Sequence, residues 1–145
     1  MDDVMRCHEV MKKVVQCCRT DETVTEIALR MRDANIGFLP VVDSDGRAIG
    51  TVTDRDLVTR GIAGGRPSNT TTVDMVMSHE VITCHESDDL NVAEQMMSRH
   101  QKSRIICNDS EGRLVGVISL SDIADVETRG RAATLLRSVA QREVH

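Results

Sequence analysis

Short apolar runs alternate along this chain with stretches in which apolar positions recur every three or four residues, and the whole order occurs twice. VVQCC (14–18) and VITC (81–84) each read as a short strand. After the first run, Val24, Ile27, Ala28 and Met31 share one face of a predicted helix; after the second, Leu90, Ala93, Met96 and Met97 do the same. Thr20 or Asp21, with Ser87 in the second copy, offers a capping oxygen ahead of each helix. FLPVV (38–42) and AIGTV (48–52) flank a DSDG turn, and RIIC (104–107) and LVGVI (114–118) flank NDSEG, so a hairpin follows in each copy. A further helix is expected to start at Thr53 and at Ser119. The predicted order is strand, helix, strand, strand, helix, twice over, which is a mixed α/β (α+β) class.

The two copies are related by a constant offset of 66 residues. Sliding the chain by that amount aligns 10–60 with 76–126 without a gap, and 11 of the 51 positions are identical. That identity is low, so the matching order of elements carries the argument. The expected organisation is a first repeat at 4–60, a Gly-, Pro- and Thr-rich linker at 61–75, a second repeat at 76–126 and a helical extension at 127–145. Ala132, Leu135, Leu136 and Val139 form a stripe on that extension, which is expected to cover a neighbouring element or a second subunit. A lone repeat of about 60 residues buries too little surface to be more than marginally stable, so the copies are expected to fold together.

Composition narrows the function. The chain has 145 residues with a formal charge of −5, no Trp, no Tyr and one Phe. An acidic surface without stacking rings argues against a nucleic-acid partner. No apolar run has the length of a membrane span, and the N-terminus lacks the apolar stretch of a signal peptide. A cytoplasmic protein is expected, without a membrane partner. The five cysteines are an odd number with no C-x-x-C, which suggests free thiols in a reducing compartment. Cys17-Cys18 and Cys84-His85 fall at equivalent points of the repeat and suggest a metal or redox cluster, but buried core cysteines are the stronger reading. The five histidines are scattered without a nucleophile at a recognisable spacing, so no catalytic residue is assigned.

The most specific signal is GTVTDRDL (50–57) and its echo GVISLSDI (116–123). Thr53 with Asp56, and Ser119 with Asp122, have the spacing of a capping box, and each alone reads more simply as a cap than as a ligand site. Three features add a ligand reading. Gly50 and Gly116 mark a bulge or a close backbone approach in the preceding strand. A strand feeding a helix N-terminus presents free N–H groups suited to a phosphate. Asp, shorter than the Glu preferred in a capping box, suits the paired hydroxyls of a ribose.

Two β-α-β-β-α copies ending in Gly-h-h-[Ser/Thr]-x-x-Asp resemble the tandem cystathionine-β-synthase (CBS) domain pair, or Bateman module. HEVM (8–11), VDMVM (73–77), LPVVD (39–43) and TDRD (53–56) all match, and DRDLVTRGIAGGRPSNTT is similar to a small stand-alone bacterial subgroup. The resemblance implies two repeats about a pseudo-twofold axis and a cleft for an adenosyl ligand. It implies that Thr53 and Ser119 contact phosphate and that Asp56 and Asp122 contact ribose. Arg55 could pair with phosphate bidentately; Ser121 replaces it in the second copy. The base would sit among Val15, Cys17, Cys18, Ile36, Gly37, Phe38 and Pro40. Its second-copy counterpart would use Val81, Thr83, Cys84, Lys102, Ser103, Arg104 and Ile106, where charge replaces Ile36 and Phe38. The first site is therefore expected to bind more strongly.

The expected function is a regulatory, energy-sensing module, with no catalytic residues and no obligatory cofactor. AMP, ADP, ATP or a related adenosyl molecule is the regulatory ligand, the assembly is a homodimer, and the target is a separate, unknown protein. The alternative is a structural or stress-associated interaction protein whose cleft does not bind nucleotide, or responds to metal or redox state.

Overall fold

The computed structural model describes residues 4–13, 16–127 and 129–144, and these form two compact units. One unit comprises 15–81; the other comprises 1–14 together with 82–145. These units divide the chain differently from the expected repeats. Residues 4–13, grouped by sequence with the first repeat, pack with the second.

In the 15–81 unit, α2 (Val24–Ala34) buries Val24, Ile27 and Met31, while Ala28 is exposed at the edge of the stripe. Its cap is Thr23, whose hydroxyl accepts the Glu26 N–H at 3.2 Å, and not Thr20 or Asp21. The apolar register begins at Val24, so the residue directly before it is the one placed to cap. Strands β2 (Phe38–Val42) and β3 (Ala48–Thr53) form the predicted hairpin. Asp43 Oδ1 accepts the N–H groups of Asp45 and Arg47 and closes its turn. The expected strand at 14–18 is reduced, among the described residues, to a bridge in which Cys18 pairs with Val41. α3 (Asp54–Asp56) continues directly into a π-helical stretch, Leu57–Ile62.

Part of the expected linker is structured. The carbonyls of Thr71 and Ser68 accept the first N–H groups of α2, from Val24 at 2.9 Å and Thr25 at 3.0 Å. Helix starts leave such donors without an internal partner, and the linker supplies the acceptors. It ends in α4 (Val73–Val76), whose Val73 and Val76 are buried in this unit's core.

The other unit repeats the plan and adds to it. α1 (Cys7–Val10) and β1 (Lys12–Lys13) come from the N-terminus. β4 (Thr83–His85), α5 (Leu90–His100), β5 (Arg104–Asn108), β6 (Leu114–Ser119), α6 (Leu120–Val126) and α7 (Arg129–Val144) complete it. The sheet runs β1-β6-β5-β4, with only the β4–β5 pair parallel. Asp89, and not Ser87, caps α5. α5 buries Leu90, Ala93 and Met97, leaving Met96 half-buried. α7 covers α5 and α6 of its own unit with Leu135 and Val139, while Leu136 points to solvent, 56% exposed. Burial selects the Leu135/Val139 edge of the predicted stripe and leaves Leu136 outside it.

The lead-in segments explain the two glycines. A Cβ on Gly50 would collide with the Met77 methyl and stand 2.5 Å from the Ser78 carbonyl oxygen. A Cβ on Gly116 would stand 2.5 Å from Met11 Sδ and 3.0 Å from the Lys12 oxygen. Met11 and Met77 are equivalent in the 66-residue register, yet each crosses the hairpin strand of the opposite copy. The glycines are close-approach positions, as expected, but the visitor is backbone and methionine of the lead-in.

Candidate functional site

Each unit places its candidate residues where a hairpin strand becomes a helix. In the 15–81 unit, Phe38 pairs with Thr53 across β2 and β3, and the Asp54 N–H donates to the Gly37 carbonyl at 3.0 Å. In the other unit, Arg104 pairs with Ser119, and the Leu120 N–H donates to Ser103 at 3.1 Å. The same hydrogen bond thus fixes both junctions.

Both capping boxes are made. Thr53 Oγ1 accepts the Asp56 N–H at 3.1 Å, and Asp56 Oδ2 accepts the Thr53 N–H at 2.9 Å. Ser119 Oγ accepts the Asp122 N–H at 3.3 Å, while Asp122 Oδ2 accepts the Ser119 N–H and hydroxyl, each at 2.9 Å. The capping-box reading of both pairs is what the structure shows: although Asp is shorter than the preferred Glu, its carboxylate reaches the cap N–H in both copies.

Each cap uses one carboxylate oxygen and leaves the other facing a cation. Asp56 Oδ1 lies 3.9 Å from Arg60 Nε, and Asp122 Oδ1 lies 3.4 Å from Lys12 Nζ. Sequence reasoning missed both basic residues. Lys12 is far from Asp122 along the chain, and Arg60 carried no motif. Lys12 also alters the expected contrast between copies. The second junction lacks an equivalent of Arg55 but gains a largely exposed ammonium from the lead-in.

The remaining candidates divide. Arg55 is exposed on the first turn of α3. Ile36, Gly37 and Phe38 are half-buried next to Thr53. Cys18 and Pro40 are buried and tied together, Cys18 N–H to the Pro40 carbonyl at 2.9 Å. Burial pushes the Cys18 thiol up to about 12, which makes it an inert core group. Cys17 is exposed, and its carbonyl accepts from Arg30. Val15 lies outside the described residues. In the second copy Val81 and Thr83 are half-buried and Arg104 is exposed, while Ile106 and Cys84 belong to the core. No group of three or more metal-ligating side chains among the described residues could hold a metal ion.

A cavity of about 640 Å³ lies elsewhere, between α5 and α7, walled in part by Glu94, Ser98, Arg131 and Thr134. Arg131 contacts Glu94 at 3.4 Å and Glu127 at 2.9 Å. Burial, then the adjacent Glu127 carboxyl, pushes Glu94 from 4.5 up to about 7 against the pull of Arg131. The folded state therefore holds this proton more tightly than the unfolded chain does. Stability should fall as pH rises from about 4.5 to about 7 and then level off. Thermal midpoints at pH 5 and pH 8 check this: Glu94→Gln should shrink the drop between them, and an unchanged drop would refute the assignment.

A family model for the CBS domain matches residues 7–62 and 73–128. The chain belongs to the CBS-domain family. Both matches begin at a lead-in helix, so each CBS repeat opens with an element that packs in the other repeat's unit. The uncharacterized protein YlbB of Bacillus subtilis is 34% identical over 135 residues, spanning 92% of this chain and 90% of its own length. A CBS domain pair crystallised with 5′-methylthioadenosine and S-adenosyl-L-methionine is 25% identical with a TM-score of 0.72, covering 85% of this chain and 95% of that one. The cytosolic domain of the Mg2+ channel MgtE, crystallised with ATP, is 27% identical with a TM-score of 0.69, covering 81% and 46% respectively. Among the described residues, no helix of this CBS protein is long and apolar enough to cross a membrane.

Proposed function

We propose that this CBS pair is a regulatory module that binds an adenosyl ligand at its strand-to-helix junctions. The observation that carries the reading is the division of labour at Asp56 and Asp122. One oxygen of each caps a helix, and the other remains beside a cation, where it can accept from ribose hydroxyls. The caps hold these acids in place before a ligand arrives, which lowers the ordering cost of binding. Thr53 and Arg55 suit phosphate at the first site; Ser119, Lys12 and Arg104 suit it at the second. The adenosyl and ATP complexes of related CBS proteins support the ligand class. In this reading no residue is catalytic, the functional assembly is a homodimer in the cytoplasm, and ligand occupancy alters pairing with a separate target protein.

The completeness of both caps favours a second reading, an interaction protein whose acids serve only their own helices. Calorimetry with AMP, ATP and S-adenosylmethionine separates the two. With no Trp or Tyr, any nucleotide carried through purification should also dominate absorbance at 260 nm. Asp56→Asn keeps a cap acceptor but removes the charge, and is expected to weaken binding at the first site by roughly 10-fold or more, as for a lost charge-assisted hydrogen bond. Absence of binding by all three ligands, or equal affinity in Asp56→Asn and Asp122→Asn, would establish the second reading.

A further inference from the structure

The unit containing the second repeat holds three thiols in contact. Cys84 Sγ lies 3.8 Å from Cys7 Sγ and 3.6 Å from Cys107 Sγ, and all three residues are buried. They arrive from separate elements: Cys7 opens α1, and Cys84 and Cys107 sit directly opposite each other on the parallel strands β4 and β5. The other unit shows that packing does not require them. In the 66-residue register Cys7, Cys84 and Cys107 correspond to Val73, Cys18 and Val41, all buried in that unit's core. One fold thus solves the same packing problem twice, once with two valines and a lone thiol, once with three thiols.

We infer that Cys7, Cys84 and Cys107 form a redox site, in which a hydroperoxide oxidises Cys7 and Cys84 then closes on it as a disulfide. The site is independent of the adenosyl reading above. Cys7 Sγ donates to the Asp89 carbonyl at 3.9 Å and accepts from Cys84 Sγ at 3.8 Å. Hydrogen bonds from Cys107 and Cys84 pull its pKa down against burial, which favours Cys7 as the thiol that ionises and attacks once the site opens. Hydrogen bonds and burial push Cys84 up, and Cys107 up to about 12, leaving both as thiols. The Cys7 thiolate attacks one peroxide oxygen, the O–O bond breaks, and hydroxide leaves to be protonated, giving a sulfenic acid on Cys7. Cys84 Sγ attacks that sulfur, its proton passes to the departing hydroxyl, and water leaves. Two thiols are oxidised by two electrons, and hydrogen peroxide is reduced to two waters, or an organic hydroperoxide to its alcohol and one water.

Access comes through α1, a single helical turn. Backbone bonds from Cys7 to Asp88 and from His8 to Glu86 hold it to the unit. A single turn held by a few backbone bonds opens at lower free energy than the sheet behind it. The bridge would then fasten the lead-in to β4. The same lead-in places Met11 on Gly116 and Lys12 beside Asp122, so oxidation would lock the second junction in its present form.

The test treats the intact protein with a few equivalents of hydrogen peroxide, alkylates under denaturant and maps tryptic peptides. Cys7, Cys84 and Cys107 fall in three different tryptic peptides, and Cys17 and Cys18 share a fourth. The expected product is a Cys7–Cys84 linked pair, with a thermal midpoint about 5–10 °C higher than in the reduced protein. The double variant Cys7→Val, Cys107→Val copies the other unit's solution, should fold, and should show neither the link nor the shift. A Cys84–Cys107 bridge, oxidation confined to exposed Cys17, or a thiol-bound metal in the purified protein would each overturn the assignment.

Discussion

Gly50→Ala is expected to destabilise the protein by about 3 kcal/mol, the upper end of the usual overpacking cost. The added carbon would stand 2.5 Å from the Ser78 carbonyl oxygen, and that backbone cannot withdraw. The Ser78 carbonyl accepts the Thr51 N–H at 3.0 Å, and the Ser78 N–H donates back at 2.8 Å. Gly116→Ala should cost less, on the order of 1–2 kcal/mol. There the close neighbours are the flexible Met11 side chain and a backbone oxygen at 3.0 Å. Gly130→Ala should have the opposite sign and stabilise by roughly 0.5–1 kcal/mol, because an added methyl meets nothing within 4 Å and the site is helical. Thermal or urea unfolding of the three variants orders them. If Gly50→Ala proved as stable as the parent, the close crossing of Met77 and Ser78 over β3 would be wrong.

Deleting residues 1–13 should damage the second repeat and not the first. The segment supplies fully buried Cys7 and the partly buried Met5, Val10 and Met11 to the core of the 82–127 region. It also supplies β1, paired with β6, and the Met5 carbonyl that accepts the Leu90 N–H at 2.8 Å. Apolar burial and hydrogen bonds of this extent amount to about 4 kcal/mol. Hydrogen exchange read by peptide should show protection lost across 82–127 and largely kept across 18–62. Loss concentrated in 18–62 would return the lead-in to the repeat it precedes.

Much of the fold was legible because it is local. The 3–4 spacing of Val24, Ile27 and Met31 and the turn chemistry of Asp43 and Gly46 act over a few residues, and they place α2 and the hairpin where expected. The caps at Thr23 and Asp89 were misplaced by two or three residues, since several capping side chains cluster there and only the start of the buried stripe selects among them. Of the expected strand at 14–18, residues 14 and 15 lie outside the described residues, and the described part pairs only at Cys18. An apolar run states that a segment is buried, not that it pairs along its length, and Cys18 makes a single bridge.

The junction itself was legible in part. The repeated Gly, hydroxyl and Asp were found from their spacing, and so was the capping box that both copies form. Lys12 and the three-thiol contact were invisible, because Cys7 and Cys84 lie 77 residues apart, and no periodicity joins them.

The sequence by itself determined the duplicated order of elements, the strand-to-helix junctions and the family, because each depends on neighbours along the chain. Tertiary structure alone decided which copy each lead-in completes, that Lys12 faces Asp122, and that three thiols meet. Those outcomes depend on burying short apolar segments against whichever surface accommodates them, a choice made across space that residue spacing does not encode.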